Sequence, residues 1–236
     1  MEKEDKAVKS KTRIRRVVKI VAFGSVCLMA LLFLVHTIWR MSGSNRWQLV
    51  QDESGIKVYT LKTPGSDLIQ VKGTVRVHST LGGIVKFMVD PATCSDYGCY
   101  DSHTVERVDD QLQYNSFRFP TPFPFKTREL VVRSQIDQNP QTKEVLLVVA
   151  AAPDKTPPSD CCFRVTQMNN TWQLTPLGNQ EVEIEYVMNM NEGGSMPDLM
   201  LNWERPRLVF SVLQGLQRLI IKENYQNLAL GFIAEK

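Results

Sequence analysis

Residues 119–132 of the 236-residue chain read FPTPFPFKTRELVV, a run of prolines and aromatic residues that leads into an apolar strand pattern. Proline has no N–H for a ladder hydrogen bond and fixes φ, so the prolines at 120, 122 and 124 must lie outside a sheet. An apolar strand pattern begins at Glu129. The stretch therefore predicts an extended crossing between two strands, with aromatic side chains that need a buried surface. We expect it to form the wall of a cavity rather than a simple hairpin tip.

Strand patterns continue on both sides of this stretch. Apolar and polar residues alternate over residues 69–77 and, most clearly, over residues 181–190. Further strand patterns cover residues 103–108, 112–119, 129–137, 144–150, 162–168 and 171–174. Ser79 or Thr80 is a plausible cap for a short helix that proline stops after Asp90.

The apolar period changes near the C-terminus. From about Pro197, apolar residues recur at spacings of three and four, the mark of an amphipathic helix. Pro206 either begins the main part of this helix or kinks it. The chain is therefore predicted to hold an α+β domain, with an antiparallel sheet followed by one long helix.

The N-terminal segment has the charge pattern of a membrane anchor. Residues 1–19 carry eight Lys/Arg and three Asp/Glu, whereas residues 20–39 carry none of these four. That length matches the roughly 20 residues that span a bilayer core. A cleaved signal peptide is the alternative, but the run is longer than its usual apolar region and no Ala-x-Ala-like site follows. We expect an uncleaved transmembrane helix.

The same charges orient the anchor. By the positive-inside rule, the basic tail of residues 1–19 is expected in the cytoplasm. Residues 40–45 then form a short linker, and residues 46–236 form an exported domain beside the membrane, on the periplasmic face of a bacterial inner membrane. Residues 20–236 carry 20 basic and 22 acidic side chains, so no basic surface for nucleic acid is expected.

Four cysteines lie in the predicted exported domain: Cys94, Cys99, Cys161 and Cys162. They could form up to two disulfides in an oxidising compartment. Neighbouring residues on a strand point to opposite faces, so we expect Cys161 or Cys162 to bridge to Cys94 or Cys99 rather than to each other. Free thiols are the alternative. No metal site is expected, because no Cys-x-x-Cys motif or histidine cluster is present.

Four blocks of the predicted domain resemble the START family of lipid-transfer domains, which are related to the steroidogenic acute regulatory protein. They are Trp47 with GIKVYT (55–60), PFPFKTRELV (122–131), WQLTP (172–176) and NEGGSMPDLMLN (191–202). The resemblance implies a helix-grip fold, in which a curved antiparallel sheet wraps a long C-terminal helix and encloses a tunnel for one lipid.

This resemblance also implies a function. The expected activity is binding of a sterol-like, hopanoid-like or phospholipid molecule and its transfer to or from a membrane surface, without a cofactor or catalysis. The alternatives are a tethered lipid sensor that signals to an unspecified protein partner, or a cyclase-like or hydrolytic enzyme. Catalysis has little support from the sequence, which lacks the nucleophile and metalloprotease motifs.

Candidate lipid-binding residues follow from the family tunnel and the apolar patterns. They are Tyr114, Arg118, Phe123, Phe125, Arg128, Met188, Met190, Met196, Leu208, Val212, Leu216 and Leu219. Arg128 could orient a polar head group or pair with a carboxylate such as Glu129. Phe123 and Phe125 could line the tunnel or belong to the core, and the methionines fit either role.

Overall fold

The computed structural model describes residues 2–194, 196–222 and 225–236, with the side chains of residues 2–15 and 17 left out. The chain forms two compact units. One holds the residues up to Asn45 together with Lys62–Asp67, and the other holds Arg46–Leu61 and Leu68–Lys236.

The first unit is dominated by the helix α1 (Glu2–Met41). Its segment Val18–Met41 has a mean hydropathy of 2.5 and is long and apolar enough to cross a membrane. Within this unit, the Trp39 indole Nε1 donates to the backbone oxygen of Asp67 at 3.0 Å. Lys62 Nζ donates to the backbone oxygen of Ser66 at 2.6 Å.

The second unit is built on one strongly paired sheet. Its described residues form strands β1 (Gln48–Glu53), β2 (Ile56–Leu61), β3 (Gln70–His78), β4 (Tyr100–Arg107), β5 (Leu112–Phe119), β6 (Arg128–Gln138), β7 (Val145–Ala151), β8 (Phe163–Arg164), β9 (Gln167–Gly178), β10 (Glu181–Met188) and β11 (Met190–Asn191). The order across the sheet is β1-β2-β3-β10-β9-β7-β6-β5-β4, with β11 paired to β9 and β8 to β6. Every pair is antiparallel except β6 with β8.

The predicted α+β arrangement is confirmed, with differences in detail. Strand β1 had no clear alternation and was not predicted. The pattern over residues 162–168 predicted one strand, but the chain leaves β8 after Arg164 and begins β9 at Gln167. Val165 alone is buried in between, and its N–H donates to the backbone oxygen of Glu129 at 2.9 Å.

A short helical segment joins β3 to β4. The helix α2 (Leu81–Val89) begins after Thr80, whose hydroxyl accepts from the Gly83 N–H. Of the two predicted candidates, Ser79 and Thr80, the N-cap is therefore Thr80. Asp90 ends α2 and its side chain caps the next segment, a 3₁₀ helix over Pro91–Tyr97. Proline at the start of that segment lacks the N–H that would continue α2.

The helix α3 (Asp198–Leu219) packs on the sheet through β3 and contains Pro206 within it. Its buried side chains Val209, Leu213 and Leu216 recur at helical spacing and belong to the main core. A Cβ on Gly73 of β3 would lie 2.5 Å from Leu213 Cδ1 and 2.8 Å from Val209 Cγ1. Glycine at this position therefore sets how closely helix and strand approach.

The proline-rich stretch connects two neighbouring strands. β5 and β6 pair directly, with Phe119 opposite Arg128, so residues 120–127 close a hairpin rather than cross between distant strands. The prediction of a cavity wall from this segment is wrong for the loop itself, because Phe123 is 97% exposed. Three prolines prevent the loop from continuing the ladder, and it projects into solvent.

The disulfide pattern differs from the predicted cross-bridge. Cys94 pairs with Cys99, and Cys161 pairs with its neighbour Cys162. The argument against a neighbouring pair assumed a strand, in which adjacent side chains point apart. Cys161 and Cys162 instead lie in a turn before β8, where that alternation does not apply.

We expect Gly73→Ala to destabilise the protein by about 1–3 kcal/mol, because the added methyl overpacks the contact between α3 and β3. Denaturant unfolding of the purified chain measures this change. Gly231→Ala is the matched control, since nothing lies within 4 Å of its Cβ position. Equal unfolding midpoints for the two variants would show that the added methyl at residue 73 does not destabilise the contact between α3 and β3.

Trypsin digestion without reduction should give two internally bridged peptides. One, residues 87–107, holds Cys94 and Cys99, and the other, residues 156–164, holds Cys161 and Cys162. Mass spectrometry should find each peptide lighter by two hydrogens than its reduced form. A product that joins the two peptides would contradict the pairing of the structure.

Candidate functional site

A cavity of about 220 Å³ lies inside the second unit, between the sheet, the 3₁₀ helix and α3. Most of its lining is apolar. The apolar lining residues are Met88, Val89, Pro91, Tyr97, Phe117, Phe119, Leu130, Val132, Leu147, Val149, Met168, Trp172, Met188, Met190, Leu208 and Val212. Apolar lining makes burial of hydrocarbon the main driving force for any ligand here.

One wall is formed by β5 and β6, the two strands that flank the proline-rich loop. Phe117 and Phe119 point to the same face of β5, and their rings meet edge to face at 5.7 Å. Phe117 lies opposite Leu130 on β6, which also lines the cavity. Residues 119–132 therefore contribute to the cavity through the strand ends on both sides of the loop.

Another part of the wall carries a stacked aromatic pair. The rings of Trp172 on β9 and Tyr186 on β10 lie 3.9 Å apart and are inclined by 17°. The Asn170 side-chain Nδ2 donates to the Tyr186 hydroxyl at 3.0 Å. Burial raises the pKa of the Tyr186 hydroxyl, with a further contribution from Glu192, so the group stays protonated at physiological pH.

Tyr97 closes the cavity along α3. A Cβ on Gly215 would lie 3.2 Å from Tyr97 Cε1, so the tyrosine ring packs directly on the helix backbone. Burial raises the pKa of Tyr97 as well, with Asp96 adding to the effect. On the C-terminal side of Gly215, the α3 side chains Leu216 and Leu219 belong to the core.

Four of the predicted binding residues are brought together at the cavity. Met188 and Met190 reach it from the sheet, and Leu208 and Val212 reach it from α3. Leu216 and Leu219 do not line it, although the same helical stripe predicted them. Both side chains are buried in the main hydrophobic core instead.

The remaining predicted residues lie elsewhere. Tyr114 and Arg118 were expected on the inner face of β5, but strand alternation places them on the face opposite Phe117 and Phe119. Tyr114 has the Lys155 ammonium 4.2 Å from its ring centre. Phe125 and Phe123 are in the hairpin loop, and Met196 precedes α3; none of these residues lines the cavity.

Several lining residues were missed by sequence reasoning. Asn115, Phe117 and Phe119 alternate along β5, and the two aromatic residues were the signal that could have identified the inner face. The lining from the 3₁₀ helix carried no usable signal, because that segment has no apolar period. Trp172 was used only as part of a family motif.

Arg128 is buried next to the cavity wall but outside it. Its exposed fraction is 5%, and its guanidinium donates to the backbone oxygens of Glu192 at 2.9 Å, Gly193 at 2.8 Å and Lys126. These acceptors do not include the Glu129 carboxylate, which the sequence suggested as a partner. Burial lowers the pKa of Arg128, while the Glu192 charge opposes that shift. The arginine thus joins the hairpin loop to the turn that precedes α3.

Glu129 points to the other face of β6 and is part of a buried charge cluster. Its carboxylate accepts from the Ser159 hydroxyl at 2.6 Å and from Arg164 at 2.8 Å, and Arg118 lies at 3.5 Å. Burial by itself would raise the pKa of Glu129, but the hydrogen bonds from Ser159 and Arg164 together hold it below the ordinary value. These charges support the strand ends and do not reach the cavity.

The described residues contain no group of three or more His, Cys, Asp or Glu side chains that could hold a metal ion. Polar groups at the cavity are instead mostly uncharged. They are Asp90, Thr93, Ser102, Asn115, Ser134, Asn170 and the hydroxyls of Tyr97 and Tyr186. Such a site can hold an apolar molecule and form a few hydrogen bonds to it.

An eleven-stranded sheet that packs on a C-terminal helix over an internal cavity is the START fold, as the sequence resemblance predicted. No protein-family model matches the chain. Its structure is similar to the crystal structure of a STAR-related lipid transfer protein from Xanthomonas axonopodis. That similarity has a TM-score of 0.68 at 26% identity and covers 73% of this chain and 97% of the other.

Two further relatives are similar in sequence. An uncharacterized protein of Pseudomonas aeruginosa, PA1579, is 24% identical over 174 residues, which are 72% of this chain and 85% of the relative. The phosphatidylcholine transfer protein of Mus musculus is 23% identical over 165 residues, 66% of this chain and 75% of the relative. The START resemblance is therefore confirmed by the similar crystal structure and by the similarity to the phosphatidylcholine transfer protein.

We expect Glu129→Gln to lower the free energy of unfolding by roughly 1–3 kcal/mol at neutral pH, because it weakens charged hydrogen bonds in a buried cluster. The folded-state pKa of Glu129 lies below its ordinary value of 4.5, so its contribution is present above that pH. It is lost as the pH falls through the folded-state pKa. The difference between wild type and variant should therefore shrink below about pH 4.5.

Chemical unfolding measured from pH 7 down to pH 3 follows this difference. The matched control is Glu183→Gln, which removes an exposed pair with Arg76 and should change the free energy by less than ~1 kcal/mol. A constant difference over the whole pH range would show that the Glu129 carboxylate is not the source of the effect.

Proposed function

We propose that this protein binds a single lipid in the cavity of its START domain and transfers it to or from a membrane. The ligand classes are sterol-like, hopanoid-like and phospholipid molecules. One observation carries the proposal: the cavity is lined mostly by apolar side chains and lies within the fold of a lipid transfer protein of similar structure. An apolar surface of this kind gains roughly 25 cal/mol for each Å² of ligand surface removed from water.

Similar proteins support carriage rather than catalysis. The Xanthomonas structure is named a lipid transfer protein, and the mouse relative is named for phosphatidylcholine. Carriage needs no cofactor and no acid-base group, because its chemistry is burial and release. We therefore propose a carrier without enzymatic activity.

The N-terminal segment supports a location of the domain beside a membrane. Val18–Met41 has the length and composition of a membrane-spanning helix, and only residues 42–45 separate it from the domain that begins at Arg46. The basic residues before the helix favour a cytoplasmic N-terminus and an exported domain, on the periplasmic side if the source is a bacterium. Two disulfides in the domain are consistent with an oxidising compartment.

Lipid exchange is proposed to begin at the hairpin loop and the start of α3. Phe123 on the loop and Leu199 and Trp203 on α3 are large apolar side chains that face solvent. Aromatic and aliphatic residues of this kind enter the boundary region of a bilayer. Because Arg128 joins the loop to the turn before α3, its release would free both segments together.

The test uses the full-length protein in nanodiscs. Organic extraction followed by mass spectrometry should identify a lipid that co-purifies in a ratio near one per chain. Mixing the loaded protein with acceptor vesicles should then transfer that lipid. We expect Phe123→Asp to slow transfer about tenfold, which corresponds to ~1.4 kcal/mol of lost membrane contact, without changing the amount bound.

Val108→Asp is the matched control, because Val108 is also an exposed apolar residue but lies in the turn between β4 and β5. It should leave the transfer rate unchanged. Absence of any bound or transferable lipid would refute the proposal. A lipid that binds but is not transferred would instead support a tethered sensor.

A further inference from the structure

We infer that the cavity selects a compact, uncharged lipid that carries a hydroxyl group, and that Asn115 binds this group. The inference rests on the proposed function and narrows its ligand class. It depends on three properties of the cavity: an unpaired buried amide, the absence of cationic lining and the small volume.

Asn115 is buried without a hydrogen-bond partner. Its exposed fraction is 7%, its side chain lines the cavity, and its Oδ1 atom has no partner among the described residues. A buried polar group in this state costs roughly 1–3 kcal/mol, so a retained one needs an explanation. A ligand that donates a hydrogen bond to Asn115 would remove this cost.

Neighbouring amides show that the lack of a partner is particular to Asn115. Gln113, two residues earlier on the same face of β5, donates to the backbone oxygen of Val89 at 2.7 Å and accepts from Arg107. Asn170 accepts from the Asn189 N–H at 2.9 Å and donates to Tyr186. Asn115 alone among these three presents its amide to the cavity without an internal partner.

A hydroxyl group suits an unpaired carboxamide. An amide offers both an acceptor oxygen and a donor NH₂, and a hydroxyl both donates and accepts, so the two groups match in either orientation of the amide. Ser134, on β6 and diagonal to Asn115, lines the same part of the wall and adds an uncharged hydroxyl beside the amide. Neither residue carries a charge that would favour an ionic head group.

Cationic side chains are absent from the lining within the described part of the chain. Arg128, the cation that the sequence suggested for a polar head group, is held by three backbone oxygens and does not line the cavity. The carboxylate that does line it, Asp90, would repel a phosphate and already has Lys86 at 3.5 Å. A phosphate placed here would be buried without a compensating charge, which is costly.

The volume also favours a compact ligand. About 220 Å³ is somewhat less than the roughly 300–1,000 Å³ of common ligand pockets. A two-chain phospholipid would require the wall to expand much further than a single fused-ring or short-chain molecule would. Size, charge and the free amide thus point to the same class of ligand.

The test measures binding to full-length protein in nanodiscs. Dehydroergosterol delivered on methyl-β-cyclodextrin is the hydroxyl-bearing probe, and its 3-acetate is the same molecule with the hydroxyl capped. Energy transfer from tryptophan reports binding, because Trp172 lines the cavity. We expect wild type to bind the free sterol at least fivefold more tightly than the acetate.

Asn115→Leu should abolish this preference, because leucine has a similar volume and no polar group. Its thermal unfolding midpoint should equal or exceed that of wild type, since an unpaired buried amide has been removed. Asn115→Ser, which keeps a hydroxyl in a smaller side chain, should retain part of the preference. Asn169→Leu makes the same change at an exposed neighbour of Asn170 and should behave as wild type.

Two results would overturn the inference while lipid binding itself stands. One is stronger binding of a pyrene-labelled phosphatidylcholine than of the sterol, and the other is an unchanged sterol preference in a folded Asn115→Leu protein. If no probe binds and no lipid co-purifies, the proposed function fails as well.

Discussion

The close contact of α3 with β3 at Gly73 fixes the position of the helix on the sheet. A glycine there lets the helix side chains Val209 and Leu213 reach the backbone of the strand, so one edge of the helix is pressed into the sheet. The strands on the far side of the sheet then face Leu208 and Val212 across an unfilled space. Tight packing on one side of α3 and a cavity on the other are two results of the same placement.

The buried charged side chains near this cavity have their partners outside it. Glu129 is held by Ser159 and Arg164 on the opposite face of β6. Arg205 on α3 donates to the backbone oxygen of Ile69 at 2.8 Å and pairs with Glu192. These contacts fix the strand ends and the start of α3, and they leave the lining almost uncharged. The chemistry of the site is therefore decided by neutral groups.

Sequence patterns predicted the sheet, the long helix and part of the lining, because alternation and helical spacing are local signals. They identified Met188 on β10 and Met190 on β11 as residues of the cavity wall. They failed on β5, where both faces carry large side chains and the prediction chose the face with Tyr114 and Arg118. Only the pairing of Phe117 with Leu130 on β6 settles which face is inside.

Contacts between residues far apart in the chain cannot be predicted from such local signals. Arg128 meets backbone oxygens from a turn more than 60 residues later in the chain, and no local pattern predicts that contact. The neighbouring disulfide was missed for a related reason, since the prediction assumed a strand at Cys161. The shape of that turn is set by surrounding structure rather than by the two cysteines.

The hydrogen bonds of Arg128 have a consequence for acidity. All three acceptors are backbone oxygens, which do not titrate, and a guanidinium stays charged far above neutral pH. The junction between the hairpin loop and α3 therefore keeps the same hydrogen bonds across the range in which carboxylates and imidazoles change charge.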